Sequence, residues 1–144
     1  MVYTPYFLAL NGTIQCILFM ICEISLQLVF RFKIDRELFK LSDGGTIALD
    51  WISDHEGGFP LKGSKRPILC CISGLSGGND NYYTYSMVKE GMRQGYKCVI
   101  INFRGAGGVP LTSKKFYWTM GWKDLKEPID YINNKFCNSK DLEY

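Results

Sequence analysis

The sequence predicts an α/β chain in which an antiparallel hairpin precedes a parallel strand–helix–strand unit. Two observations carry this. First, two extended runs flank Asp43-Gly44-Gly45, and Asp-Gly supplies the left-handed positions of a tight turn. Second, two continuous apolar runs, ILCCIS at 68–73 and KCVIINF at 97–103, enclose a segment with helical spacing. Continuous apolar strands joined through a helix suit a parallel sheet covered on both faces.

Composition narrows the function. The chain has 144 residues, 47% of them hydrophobic and 22% charged, which is globular rather than disordered. A net charge of +3 without a clustered basic patch gives no footprint for nucleic acid. Lys62, Lys65 and Arg66, like Lys114 and Lys115, read as solvated loops. Cys16, Cys22, Cys70, Cys71, Cys98 and Cys137 form no CxxC, and no histidine accompanies them at zinc spacing. Cys70, Cys71 and Cys98, inside strongly apolar runs, read as reduced thiols acting as small core hydrophobes, and no metal or cofactor is expected. His55 is the one histidine, so any mechanism needing a histidine base has one candidate.

Residues 1–35 read as a hydrophobic helical segment and 36–144 as the main domain. Ile14 to Phe32 is long enough to span a bilayer. Glu23 near its centre would cost about 2.5–3.5 kcal/mol on insertion. No Lys or Arg precedes the run, so a secretory n-region is missing. Arg31, Lys33 and Arg36 would orient a span with its C-terminal side in the cytoplasm. The favoured reading is a helix packed on the domain or lying at a membrane surface, in a cytoplasmic or membrane-associated protein. The Asn11-Gly12-Thr13 sequon reads as accidental.

The hairpin arms are ELFKLS at 37–42 and TIALDWI at 46–52. Ile47, Leu49 and Trp51 alternate with Ala48 and Asp50, the pattern of a half-buried strand. Asp50, Asp54 and Glu56 read as a solvated turn, with no spacing suited to a glycosidase or a metal. HEGGFPLKGSKR at 55–66 is a loop. A helix follows the first buried strand over 79–94. Tyr85, Val88 and Met92 form its apolar face, Asn79 or Asn81 its N-cap, and Gly95 its C′ residue. The crossover is expected to be right-handed. Trp122, Leu125, Ile129, Ile132 and Phe136 step as one helix face, interrupted by a kinking Pro128. A sheet stopping after the second buried strand would leave an open apolar edge there, favouring self-association or a partner.

Gly74-Leu75-Ser76-Gly77-Gly78 is formally G-x-S-x-G, with a strand before it and a helix after it, as in a nucleophile elbow. The partners of an elbow serine follow in the order acid, histidine, yet no histidine follows Ser76 and His55 precedes it. Ser76 is therefore only a weak alternative nucleophile. The glycines suit a loop whose free N–H groups at a helix N-terminus bind an anion or a developing oxyanion, and equally a tight strand-to-helix turn. No G-x-G-x-x-G or Walker spacing supports a nucleotide. Arg104-Gly105-Ala106-Gly107-Gly108 sits at the carboxyl end of the second strand, where open α/β sheets bind ligands. Arg104 reads as bracing a neighbouring loop through bidentate bonds rather than contacting substrate.

Several stretches resemble the α/β-hydrolases of the YheT and embryogenesis-associated type, which include abhydrolase-domain phospholipases and esterases. They are NGTIQCIL at 11–18, RELFKLSDGGTIALDW at 36–51, RPILCCISGLSGGNDNYY at 66–83, GYKCV at 95–99, NFRG at 102–105 and Asp124-Leu125. The resemblance implies the N-terminal part of an α/β-hydrolase fold, here a partial domain. It implies serine hydrolysis of carboxylic esters, with an acyl-ester or lipid substrate. By it, Gly74 and Leu75 belong to an oxyanion-hole loop, Leu75 giving a backbone N–H. Ser76 stands where the family usually has threonine, and Ser73 where it has proline. The family's nucleophile elbow, acid and histidine come later than Tyr144, so the chain as written is expected to be inactive. The alternative is a non-catalytic membrane-associated or interaction remnant of such a hydrolase, contacting a membrane surface through Ile14 to Phe32.

Overall fold

A computed structural model describes residues 11–29, 32–54, 66–72, 74, 81–116 and 121–137. The chain divides into two compact units, 1–31 and 32–144. The first holds helix α1, Gly12–Val29. Asn11 caps it, its Oδ1 accepting the Thr13 N–H at 2.9 Å, which gives the sequon asparagine a structural use. Ile14, Ile17, Phe19, Met20, Ile21 and Ile24 are all exposed. Among the described residues, no helix is long and apolar enough to cross a membrane.

The second unit is built on strands β1 (Ile34–Lys40), β2 (Thr46–Ile52), β3 (Ile68–Ile72) and β4 (Lys97–Asn102). Their order is β1-β2-β4-β3. β1 and β2 form the expected hairpin, in register from Ile34↔Ile52 to Lys40↔Thr46, and β1 begins three residues before the predicted arm. The turn has three loop residues. Gly44 N–H donates to Leu41 O at 3.0 Å and Leu41 N–H to Gly45 O at 2.8 Å. Gly44 has φ +83°, a conformation that favours glycine.

β3 and β4 are parallel, joined through helix α2, Tyr82–Arg93. Asn81 is its N-cap residue. At its C-terminus Gly95 N–H reaches Met92 O and Tyr96 N–H reaches Gly91 O, a Schellman pair that satisfies the last carbonyls. Val88 is fully buried against Ile52, Cys71, Cys98 and Ile100, with Met92 beside them. The opposite face carries helix α3, Lys123–Ile132, and a π-helical turn over Asn133–Cys137. There Ile47, Leu49, Trp51, Val99 and Ile101 pack with Ile132, Leu125 and Phe136. The Trp51 and Phe136 rings meet edge-on at 5.1 Å.

Several expectations need correction. The second parallel strand is not the edge: β4 lies between β2 and β3, buried throughout, and β3 is the outer strand of the described sheet. With one neighbour, β3 is only half-buried, and Ile72 is 40% exposed. β2 is covered on both faces, so Ala48 and Asp50 are as buried as Ile47 and Leu49. Asp50 is thus no solvated turn residue. It accepts two bonds from Arg36, at 2.7 and 2.8 Å, and one from the Asn102 amide at 2.7 Å. Asp54 is also sequestered, bonded by Lys97 Nζ at 3.0 Å and by Arg66 at 2.9 Å. Arg66 further donates to the carbonyls of Gly95 and Tyr96, so it too is not a solvated loop charge. Burying a carboxylate is tolerable only with such partners. On α3, Trp122 and Ile129 are 60% and 42% exposed. The buried stripe is instead centred on Pro128 and Ile132, with Leu125 and Phe136 packed beside them, which leaves the N-cap residue Trp122 and Ile129 at its margin.

Burial separates the thiols. It pushes Cys98 up to about 11, with neighbouring Cys71 adding to the rise, and it also raises Cys71. Cys16 and Cys22 are exposed. A maleimide at about pH 8 is expected to label Cys16 and Cys22 in the native chain. Cys71 and Cys98 are expected to react only after denaturant is added, as peptide mass mapping would read directly.

Candidate functional site

Because β3 and β4 are parallel, with Ile72 paired to Ile101, both leave the sheet at one edge. Gly74 lies just past β3 and Arg104 just past β4. This is the edge at which open α/β sheets bind ligands. The Gly74 N–H donates to the hydroxyl of Tyr83, in the first turn of α2. The Asn81 side-chain amide donates to the same oxygen at 3.3 Å. Gly74 and Arg104 share the edge without bonding each other. Leu75, Ser76 and His55 lie outside the described residues.

Arg104 is 2% exposed and is bonded on every side. Nε and Nη2 grip the Asp124 carboxylate at 2.6 and 2.7 Å. Nη1 donates to Ser113 Oγ at 2.9 Å, and Nη2 lies 3.0 Å from Asp43 Oδ2. One guanidinium thus touches the hairpin turn, the loop after β4 and the first turn of α3. Gly45 makes this possible, since a Cβ there would lie 2.3 Å from Arg104 Nη1. The second glycine of the turn therefore serves space, while Gly44 serves conformation.

The loop after β4 also closes over the buried Asp50 cluster. Gly107, at φ +56°, sits against the Asn102 side chain, where a Cβ would fall 2.6 Å from Oδ1. Asn102 donates to Asp50 and Asp50 accepts from Arg36, so strands β1, β2 and β4 are tied side chain to side chain. Among the described residues no group of His, Cys, Asp and Glu is arranged to hold a metal ion.

No protein-family model matches the chain. Phospholipase ABHD3 of Mus musculus is 30% identical over 100 residues, covering 69% of this chain and 24% of that protein. Embryogenesis-associated protein EMB8 of Picea glauca is 32% identical over 110 residues, covering 74% and 24%. Among solved structures, the Pyrococcus furiosus esterase Pf2001 superimposes with a TM-score of 0.53 at 16% identity, covering 74% of this chain and 37% of that one. An alpha-beta serine hydrolase homologue from Coxiella burnetii gives 0.51 at 19%, covering 75% and 49%. The chain belongs to the α/β-hydrolase family. It spans about a quarter of the length of the curated relatives it matches. The fold is the N-terminal portion of the α/β-hydrolase sheet.

Neither the turn signal at Asp43 nor the resemblance at Asp124 points to a partner, yet both stand in the fold as counter-charges of Arg104. The available signal was physical: an arginine directly after a fully buried strand needs carboxylates near it. Tyr83 was missed because tyrosine near a helix start has no distinguishing pattern. The bond from Arg104, then those from Lys115 and the Gly45 N–H, hold the Asp43 carboxyl well below the usual carboxylate range.

A folded-state value depressed in this way stabilises the fold above the unfolded value and is lost as pH falls. The thermal midpoint of the native chain is expected to exceed that of Asp43→Asn by a constant margin above about pH 4, shrinking as pH falls below it. A margin that grows on acidification would contradict the assignment. Arg104→Lys keeps the charge but loses the fork on Asp124, and is expected to cost about 1–3 kcal/mol in urea unfolding.

Proposed function

We propose that this α/β-hydrolase chain contributes the oxyanion-holding end of a serine-type carboxylesterase or lipase acting on acyl (lipid) esters. The observation that carries the reading is Gly74. It stands at the carboxyl end of the outer parallel strand, directly before the loop to α2, in a chain similar to a phospholipase. In this reading the Leu75 backbone N–H stabilises the oxyanion of the tetrahedral intermediate, and Gly74 lets the acyl carbon approach closely. A seryl ester forms and is then hydrolysed. Arg104 acts one layer back, bracing the loops around that edge. The nucleophile, acid and histidine are not among these residues. No histidine follows Ser76, so Ser76 has no elbow-type base after it.

The 144-residue chain alone is therefore expected to leave a short-chain aryl ester at the rate of a denatured control. Turnover well above that control, abolished by Ser76→Ala, would overturn this reading and make Ser76 the nucleophile.

A second reading, a non-catalytic membrane-associated or interaction role, has one observation in its favour. The described side chains of α1 are exposed and predominantly apolar, as in a helix that lies in a lipid interface. Flotation with phosphatidylcholine vesicles tests it. The chain is expected to float with the vesicles, and a variant carrying both Ile17→Asp and Phe19→Asp to stay at the bottom. Equal partitioning of the two would remove the lipid role.

A further inference from the structure

We propose that Tyr83 is a positioning residue that clamps the carboxyl end of β3 to the start of α2. Its hydroxyl accepts the Gly74 backbone N–H across nine residues of chain, and the Asn81 side-chain amide at 3.3 Å. A phenol oxygen can accept two hydrogen bonds, so the two contacts are compatible.

Two further observations point the same way. A Cβ on Gly74 would lie 3.2 Å from the Tyr83 oxygen, tighter than ordinary contact, so the hydroxyl sits close against that glycine. Asn81 is the N-cap residue of α2, yet it makes no side-chain cap bond. An N-cap asparagine ordinarily spends its side chain on the helix's first N–H groups. Here its amide goes to Tyr83. Tyr83 is 44% exposed, so burial alone does not account for its placement. The clamp ties the carboxyl end of β3 to the first turn of α2. Its catalytic consequence rests on the proposed function: the peptide after Gly74 is the one whose N–H would face the oxyanion.

The test is made on the full ¹⁵N-labelled chain. Tyr83→Phe keeps the ring and removes the hydroxyl. Amide exchange at Gly74 is expected to rise about tenfold and its proton resonance to move upfield, as for a lost hydrogen bond. The amides of β4 should not change. Asn81→Ala leaves the Gly74 bond in place and should produce a smaller effect at Gly74. An unchanged Gly74 amide in Tyr83→Phe overturns the clamp. If Tyr83→Phe unfolds the chain, the native chain gives the reading instead: a Gly74 amide protected from exchange supports the clamp, and one that exchanges as an open amide defeats it. None of these measurements depends on ester turnover, so failure of the hydrolase reading and failure of the clamp are separately visible.

Discussion

The second unit of the molecule depends on one guanidinium. Arg104 leaves a strand that is buried along its whole length, so its charge enters the protein before it can reach water. An unpaired buried cation is costly, and the fold brings two carboxylates and a serine hydroxyl to it. Those partners come from separate stretches of sequence, at residues 43, 113 and 124. Satisfying one charge therefore fixes the hairpin turn, the loop after β4 and the entry into α3 at the same time. The glycine at position 45 is part of that arrangement, because any side chain there would occupy the space of the guanidinium.

A parallel logic governs the other buried ions. Asp50 joins three strands through Arg36 and Asn102. Asp54 joins the end of β2 to the start of β4 through Lys97, and Arg66 adds the turn after α2. Apolar packing on the two faces of the sheet is tolerant of small displacements, whereas these bonds specify strand neighbours and register. Each ion pair sits at a strand boundary or crosses between strands, where hydrophobic pattern alone says little.

The hairpin, the parallel pair and both covering helices were legible because period and turn chemistry agreed with tertiary structure there. Asp-Gly fixed the turn, and continuous apolar runs marked the strands. What was not legible came from pairing. Asp50 alternates with apolar residues and so reads as solvent-facing, but alternation reports only which side a residue faces, not whether that side is covered. The same limit hid the strand order, since a crossover can place the later strand inward and the earlier one outward. On α3, Trp122 and Ile129 share the period of the buried positions but lie at the margin of a stripe centred on Pro128 and Ile132, and a period says nothing of how wide the covered stripe is. At the candidate site, Gly74 and Arg104 were visible as a glycine and an arginine after strands. Asp43 and Asp124 were not, because their roles exist only once distant segments meet, and Tyr83 was not, because no pattern marks a tyrosine near a helix start.

The strand order has a consequence for how such a sheet can be extended. One margin is β1, which carries Asp35, Arg36, Glu37 and Lys40. The other is β3, five residues without a charge. A strand added at the β3 margin would therefore meet no charged residue of its neighbour. Neighbouring strands lie about 4.8 Å apart, so a parallel strand added at β3 ends beside Gly74, while one added at β1 would end about 19 Å from β3. The inward position of β4 thus makes the glycine at the end of β3 the junction at which anything contributed by a further strand would be delivered.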